Sequence, residues 1–132
     1  MKLDIYVNYK RQCREAFAYY EQHLGGKILS METFAQMPES GGVPDDRKDD
    51  IVHGRIEIGG AILMGADIPH AEPMRSAYLT LRLGTAEEAE KIYKVLTDGG
   101  EVFMPMAETP FASRFAMLRD RFGASWMLLH ER

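Results

Sequence analysis

At the start of the chain Leu3, Ile5, Val7 and Tyr9 alternate with Asp4, Tyr6 and Asn8. A period of two is the mark of a strand buried on one face. The pattern then changes. Over residues 14–24 Phe17, Tyr20 and Leu24 recur at helical spacing, and Gly25-Gly26 supplies the stop. A strand is predicted over residues 27–34. Residues 37–50 are polar and rich in glycine and proline. A loop that long inside a compact domain suits a lid, mobile until a ligand binds, although its charges also read as plain solvated surface. Residues 52–58 and 61–66 make a hairpin around Gly59-Gly60, a strong two-residue turn signal.

The second half repeats the order. Over residues 77–83 Leu79, Leu81 and Leu83 alternate with Tyr78, Thr80 and Arg82. Residues 86–97 carry Ala89, Ile92, Val95 and Leu96 on one helical stripe. After Gly99-Gly100, strands are predicted at 101–105 and 114–119, with a loop through Thr109-Pro110 between them. Asp120-Arg121-Phe122-Gly123 then turns into a last strand at 124–130. Local sequence echoes as well: Glu15-Ala16 leading to Gly25-Gly26 matches Glu88-Ala89 leading to Gly99-Gly100. The result is an α+β chain of order βαβββ, twice: one domain of two modules, about 1–70 and 76–132, with helices on the outer face of a mixed, curved sheet. One such module cannot bury its sheet face alone, so two copies are expected to pair and leave a cleft.

Composition narrows the function classes. The 132 residues are 45% hydrophobic and 27% charged, as in an ordinary globule. A net charge of −4 argues against a nucleic-acid or anionic-membrane partner, because both need clustered basic surface. No apolar run approaches the about 20 residues that cross a bilayer. Met1-Lys2-Leu3-Asp4 reads as a charged strand start rather than a signal peptide. The single cysteine, Cys13, rules out an internal disulfide, so the cytoplasm is the expected compartment.

Candidate chemistry follows from strand parity. If Leu79, Leu81 and Leu83 pack under a helix, Tyr78, Thr80 and Arg82 face the open side. The same reasoning sends Asp4, Tyr6 and Asn8 there, with His53, Arg55, Glu57, Ile62, Met64, Ser125, Met127 and Leu129. His53 is the acid–base candidate, since only histidine titrates near neutral pH unaided. Glu57 is a second catalytic candidate if desolvated; a salt bridge to Arg55 or Arg82 is its plainer reading. Tyr6, Arg55, Met64, Tyr78, Arg82 and Met127 are the candidate ligand-binding residues, a mixed lining for a small, partly apolar organic molecule. Cys13, between Arg11 and Arg14 at a helix start, should have a depressed thiol pKa. No base accompanies it in sequence, so a structural role is favoured. Trp126 has the opposite parity to Met127 and reads as a core anchor. The nine methionines suggest an adaptable pocket or interface, or gap-filling core.

An ordered set of motifs runs through this chain: Cys13 to Tyr20 with Leu24-Gly25-Gly26; Met37-Pro38; His53 through Gly59-Gly60 to Leu63-Met64 and Asp67; Glu108-Thr109-Pro110-Phe111; and Asp120, Phe122-Gly123 and Trp126-Met127. Together they resemble the vicinal oxygen chelate superfamily of glyoxalase, bleomycin-resistance and extradiol-dioxygenase proteins, and within it the PhnB-like branch. The resemblance implies paired βαβββ modules and a homodimer. It also implies four positions for a divalent metal, which fall here at Met64, Met127, Tyr78 and Asp4 or Ile5. Thioethers and a phenol are poor ligands for a hard cation, so neither metal nor other cofactor is expected. The alternative is a metal-dependent lyase, isomerase or dioxygenase using His53, Glu57 and Asp67. The label of ubiquinone methyltransferase, attached to some proteins of this kind, gains no support from a glycine-rich turn that would cradle S-adenosylmethionine. Whether the chain is an enzyme stays open at the level of sequence.

Overall fold

In a computed structural model, which describes residues 1–37 and 42–132, the chain divides into two compact units, Met1–Glu72 and Pro73–Arg132. The first contains β1 (Ile5–Tyr9), α1 (Cys13–Leu24), β2 (Lys27–Thr33), β3 (Ile51–Ile58) and β4 (Ala61–Asp67). Its sheet has the order β1-β4-β3-β2, with β1 parallel to β4 and the other pairs antiparallel. The second unit repeats this with β5 (Leu79–Arg82), α2 (Ala86–Thr97), β6 (Glu101–Thr109), β7 (Ala112–Arg119) and β8 (Ser125–Glu131). Its order is β5-β8-β7-β6, with β5 parallel to β8. The α+β fold and the doubled βαβββ order are as the patterning implied. Each module, however, carries its own four-stranded sheet.

In the first unit the helix-facing side of the sheet buries Val7, Tyr9, Ile56 and Leu63 together with Phe17 and Tyr20 of α1. Gly54 and Gly65 are partners in the ladder on that side. Their missing side chains leave the hollow that Phe17 occupies. A Cβ on Gly65 would lie 3.0 Å from Phe17 Cζ, and one on Gly54 3.2 Å from Phe17 Cε2. The start of α1 has no side-chain cap from Gln12. Asp67, at the end of β4, supplies one instead: its Oδ1 accepts the Cys13 N–H at 2.9 Å, and its Oδ2 accepts the Ile51 N–H at 2.8 Å. By contrast α2 is capped locally, Thr85 Oγ1 accepting the Glu88 N–H at 3.0 Å. Its stripe Ala89, Ile92 and Leu96 is buried, as are Trp126 and Leu128 of β8. Trp126 is the anchor its parity implied. Its indole N–H donates to Asp120 Oδ2 at 2.8 Å, while Oδ1 takes the N–H groups of Phe122 and Ala124.

Two connections differ from expectation. β6 continues through Pro105 to Thr109 and β7 begins at Ala112, so the loop around Thr109-Pro110 shrinks to a tight turn. β6 is an edge strand, where a proline leaves no inner ladder bond unmade. Of the polar stretch before β3, residues 45–50 are tied to neighbouring elements by specific bonds. Arg11, in the left-handed region at φ 61, donates from Nε to both Asp50 oxygens at 3.3 and 3.0 Å and reaches the Asp46 carbonyl as well. Arg47 Nε donates to the same carboxylate at 3.2 Å. The N–H groups of Phe34 and Ala35 bond the Asp50 and Lys48 carbonyls. The part of the expected lid at residues 38–41 lies outside the described residues. Among the described residues no helix is long and apolar enough to cross a membrane.

Candidate functional site

Residues directly opposite one another in a ladder share a face, so the register composes the open side of each sheet, the one turned from its helix. In the first unit Tyr6 is opposite Met64, Met64 opposite Arg55, and Arg55 opposite Ser30. These four form one row across all four strands. On one side of it Ile62, Glu57 and Lys27 are successive partners; on the other, His53 is opposite Glu32. The sequence-predicted residues Tyr6, Arg55 and Met64 therefore stand side by side, with His53 and Glu57 in the flanking rows. Tyr6 is half exposed, and burial raises its phenol pKa above the ordinary value, so it remains a neutral hydrogen-bonding ring.

The equivalent row of the second unit is Thr80, Met127, Met117 and Met104. Beside it Arg82, Leu129 and Phe115 are successive partners. Arg82 pairs with Glu131 at 3.7 Å rather than with Glu57. At the other end Tyr78 meets Phe103 edge to face at 6.5 Å, and the Arg119 guanidinium lies 5.1 Å from that ring's centre. The Met74 carbonyl accepts from Arg119 at 2.8 Å and from the Ser125 hydroxyl at 3.1 Å. Ser125 is consequently buried and does not line the open face, contrary to its parity. Sequence reasoning misses Phe103, Met104, Phe115, Met117 and Arg119. The alternation Phe115, Met117, Arg119 in the strand predicted at 114–119 is the available signal for three of them; Phe103 and Met104 lie at a register shift in β6 that alternation does not reveal.

Other candidates are placed elsewhere. Asp67 is opposite Tyr9, on the helix side, and both its oxygens hold backbone N–H groups. It cannot join His53 and Glu57 as a ligand, which corrects the alternative set. Burial raises its pKa, against the lowering effect of those two bonds. Cys13 is fully buried. Burial first, and then the Asp67 carboxylate, push its thiol far up and outweigh Arg14. The expected activation by flanking arginines is reversed, because the side chain turns inward. His130 Nδ1 lies 3.0 Å from the Leu83 carbonyl. A cleft of about 460 Å³ between α2 and β6, with Tyr93, Lys94, Met106 and Arg114 in its wall, holds none of the predicted residues.

The residues beside Met64 and Met127 on the first strands are Tyr6 and Thr80, each two positions from Asp4 and Tyr78. A thioether with a phenol in one unit, and a thioether with an aliphatic hydroxyl in the other, each make a poor donor pair for a hard divalent cation. Among the described residues no three His, Cys, Asp or Glu side chains group as metal ligands.

A family model described as 3-demethylubiquinone-9 3-methyltransferase matches residues 1–129. The chain belongs to that family. It is 37% identical to protein PA1353 from Pseudomonas aeruginosa, covering 99% of this chain and 98% of that one with a TM-score of 0.88. A putative 3-demethylubiquinone-9 3-methyltransferase, PhnB protein, from Bacillus cereus is 24% identical over 98% of this chain and 99% of that one, with a TM-score of 0.77. The fosfomycin resistance protein FosX from Listeria monocytogenes, complexed with Mn(II) and 1S,2S-dihydroxypropylphosphonic acid, is 10% identical, with a TM-score of 0.69 over 98% of this chain and 90% of that one. The last two likenesses show the fold alone. That fold is the glyoxalase-like, vicinal oxygen chelate one.

Proposed function

We propose that this chain is a small-molecule binding protein of the PhnB-like branch, working as a cytoplasmic homodimer without the superfamily's divalent metal. Its ligand is a small, partly apolar organic anion. The observation that carries this reading is the row Tyr6, Met64, Arg55, which sets a phenol ring, a thioether and a guanidinium side by side. Ring and thioether favour a flat or polarisable body, and Arg55 favours a carboxylate or phosphonate. His53 and Glu57, in the rows to either side, can exchange a proton with a bound ligand. Met127, Tyr78 and Arg82 of the other module complete the candidate ligand-binding set.

Neither rival reading is supported as well. The metal-dependent alternative loses Asp67 to backbone bonding. Methyl transfer, which the family's description names, would need a cradle for a sulfonium cofactor, and Gly59-Gly60 sits in a β3–β4 hairpin rather than between a parallel strand and a helix.

The test is a thermal-shift screen of benzoates, phenylphosphonates and aliphatic phosphonates, beside elemental analysis of metal-exposed protein. A ligand present at 100 times its Kd stabilises the fold by about 2.7 kcal/mol, a readable shift. Arg55→Met and Tyr6→Ala should each abolish the shift while leaving the free protein folded. Shifts that survive both substitutions, or stoichiometric Zn, Ni or Mn in the purified chain, would overturn the reading.

A further inference from the structure

The two modules differ in chemistry at their equivalent rows. In the first, Tyr6, Met64, Arg55 and Ser30 run across the sheet; in the second, Thr80, Met127, Met117 and Met104 do. Three methionines thus occupy adjacent positions on three adjacent strands, all on the face turned from α2. A register shift in β6 between Val102 and Met104 brings Met104 opposite Met117. Met104 is 46% exposed, and the other two are half-buried.

Directly opposed Cβ atoms are about 4.5–5.5 Å apart. A methionine side chain has three rotatable bonds, so its sulfur can lean along the row. Met127 and Met104 can therefore bring their sulfurs towards that of Met117, the middle member. Three neutral, soft thioethers make a poor site for Zn(II) or Ni(II) and a good one for a soft monovalent d10 cation. In the first module a guanidinium occupies the middle place and would repel any cation drawn to Met64. In the second module a methionine holds that place, and the guanidiniums of the same face stand outside the row with acidic partners, Arg82 with Glu131 at 3.7 Å and Arg119 with Glu101 at 3.7 Å.

We propose that Met104, Met117 and Met127 form a binding site for Cu(I) or its redox-stable analogue Ag(I). The inference does not rest on the organic-ligand reading, and its test contains no organic compound, so the two can fail separately. Binding displaces no proton, since a thioether carries none, and the affinity should be flat across neutral pH. The chain, labelled with ¹³C at its methionine methyl groups, is titrated with silver nitrate in chloride-free buffer. One equivalent should be taken up, with shifts confined to the methyl signals of Met104, Met117 and Met127. Zinc should move none of them. Met117→Leu should lose the uptake, and Met64→Leu should keep it. If a substitution impairs folding, the methyl signals of the unsubstituted chain decide. Uptake that leaves those three signals in place, or that vanishes in Cys13→Ser, overturns the proposal.

Discussion

Asp67 shows how one side chain can resemble chemistry and serve structure. It is 3% exposed and accepts N–H groups from the first turn of α1 and the start of β3. Burial still outweighs those bonds and raises its pKa from the ordinary 3.8. The folded chain then holds this proton more tightly than the unfolded chain does. Its contribution to stability is complete below about pH 3.8 and is lost as pH rises through the folded value. Urea unfolding of the parent and of Asp67→Asn over a pH series should show this. The stability of the parent relative to the variant should fall as pH rises through that window and then level off. A flat difference would mean that the carboxylate titrates normally. Asparagine offers one acceptor where two are used, which lowers the whole curve without altering its slope.

At the scale of elements, the packing of α1 depends on an absence of side chains. Phe17 enters a hollow floored by the paired Gly54 and Gly65, and it meets Tyr9 edge to face at 5.9 Å. A Cβ at Gly65 would lie 3.0, 3.1 and 3.2 Å from Phe17, Tyr9 and Cys13, all fully buried. Phe17 and Cys13 belong to α1, so making room for the methyl group means shifting the helix. Gly65→Ala should therefore destabilise the fold by about 1–3 kcal/mol, the usual cost of overpacking. Denaturant midpoints at unchanged slope would measure it. No loss would mean that α1 slides freely on its sheet. Gly59 and Gly60, at φ 56 and 84, work differently: they supply the left-handed backbone of the β3–β4 turn and touch nothing.

For the whole molecule, unpaired edges and exposed apolar groups bear on assembly. Each four-stranded sheet ends on two strands that have one ladder partner within their unit. Leu29, Val102, Phe103 and Phe111 are 40–59% exposed as large apolar side chains and are available to a second chain. Proline and register shifts blunt β6, and pairing with a second chain is a further way to satisfy such edges. Light scattering at micromolar concentration should give twice the 15.0 kDa of one chain, with a contact above about 1,000 Å² to sustain it. A mass of 15.0 kDa would remove the homodimer from the proposed function.

The chain's own periodicities determined the element types, their order and, in strands without a register shift, which residues share a face. Alternation and helical spacing are imposed by backbone geometry and survive any context. That is why alternation alone groups Tyr6, Arg55, Met64, His53 and Glu57, and why the helical stripe of Ala89, Ile92, Val95 and Leu96 locates α2 at its observed bounds. Tertiary structure decided what parity cannot encode. Register turned a list of outward residues into the two rows, because ladder pairing relates residues far apart in sequence. Burial reversed the thiol of Cys13 and withdrew Asp67 and Ser125 from the candidate site. Each of those outcomes depends on which groups from other elements surround the side chain, and no local pattern records that. The pairing of Arg11 and Arg47 with Asp50 was equally hidden: in sequence it is a run of charges, and only the approach of the β1–α1 turn makes it a clasp.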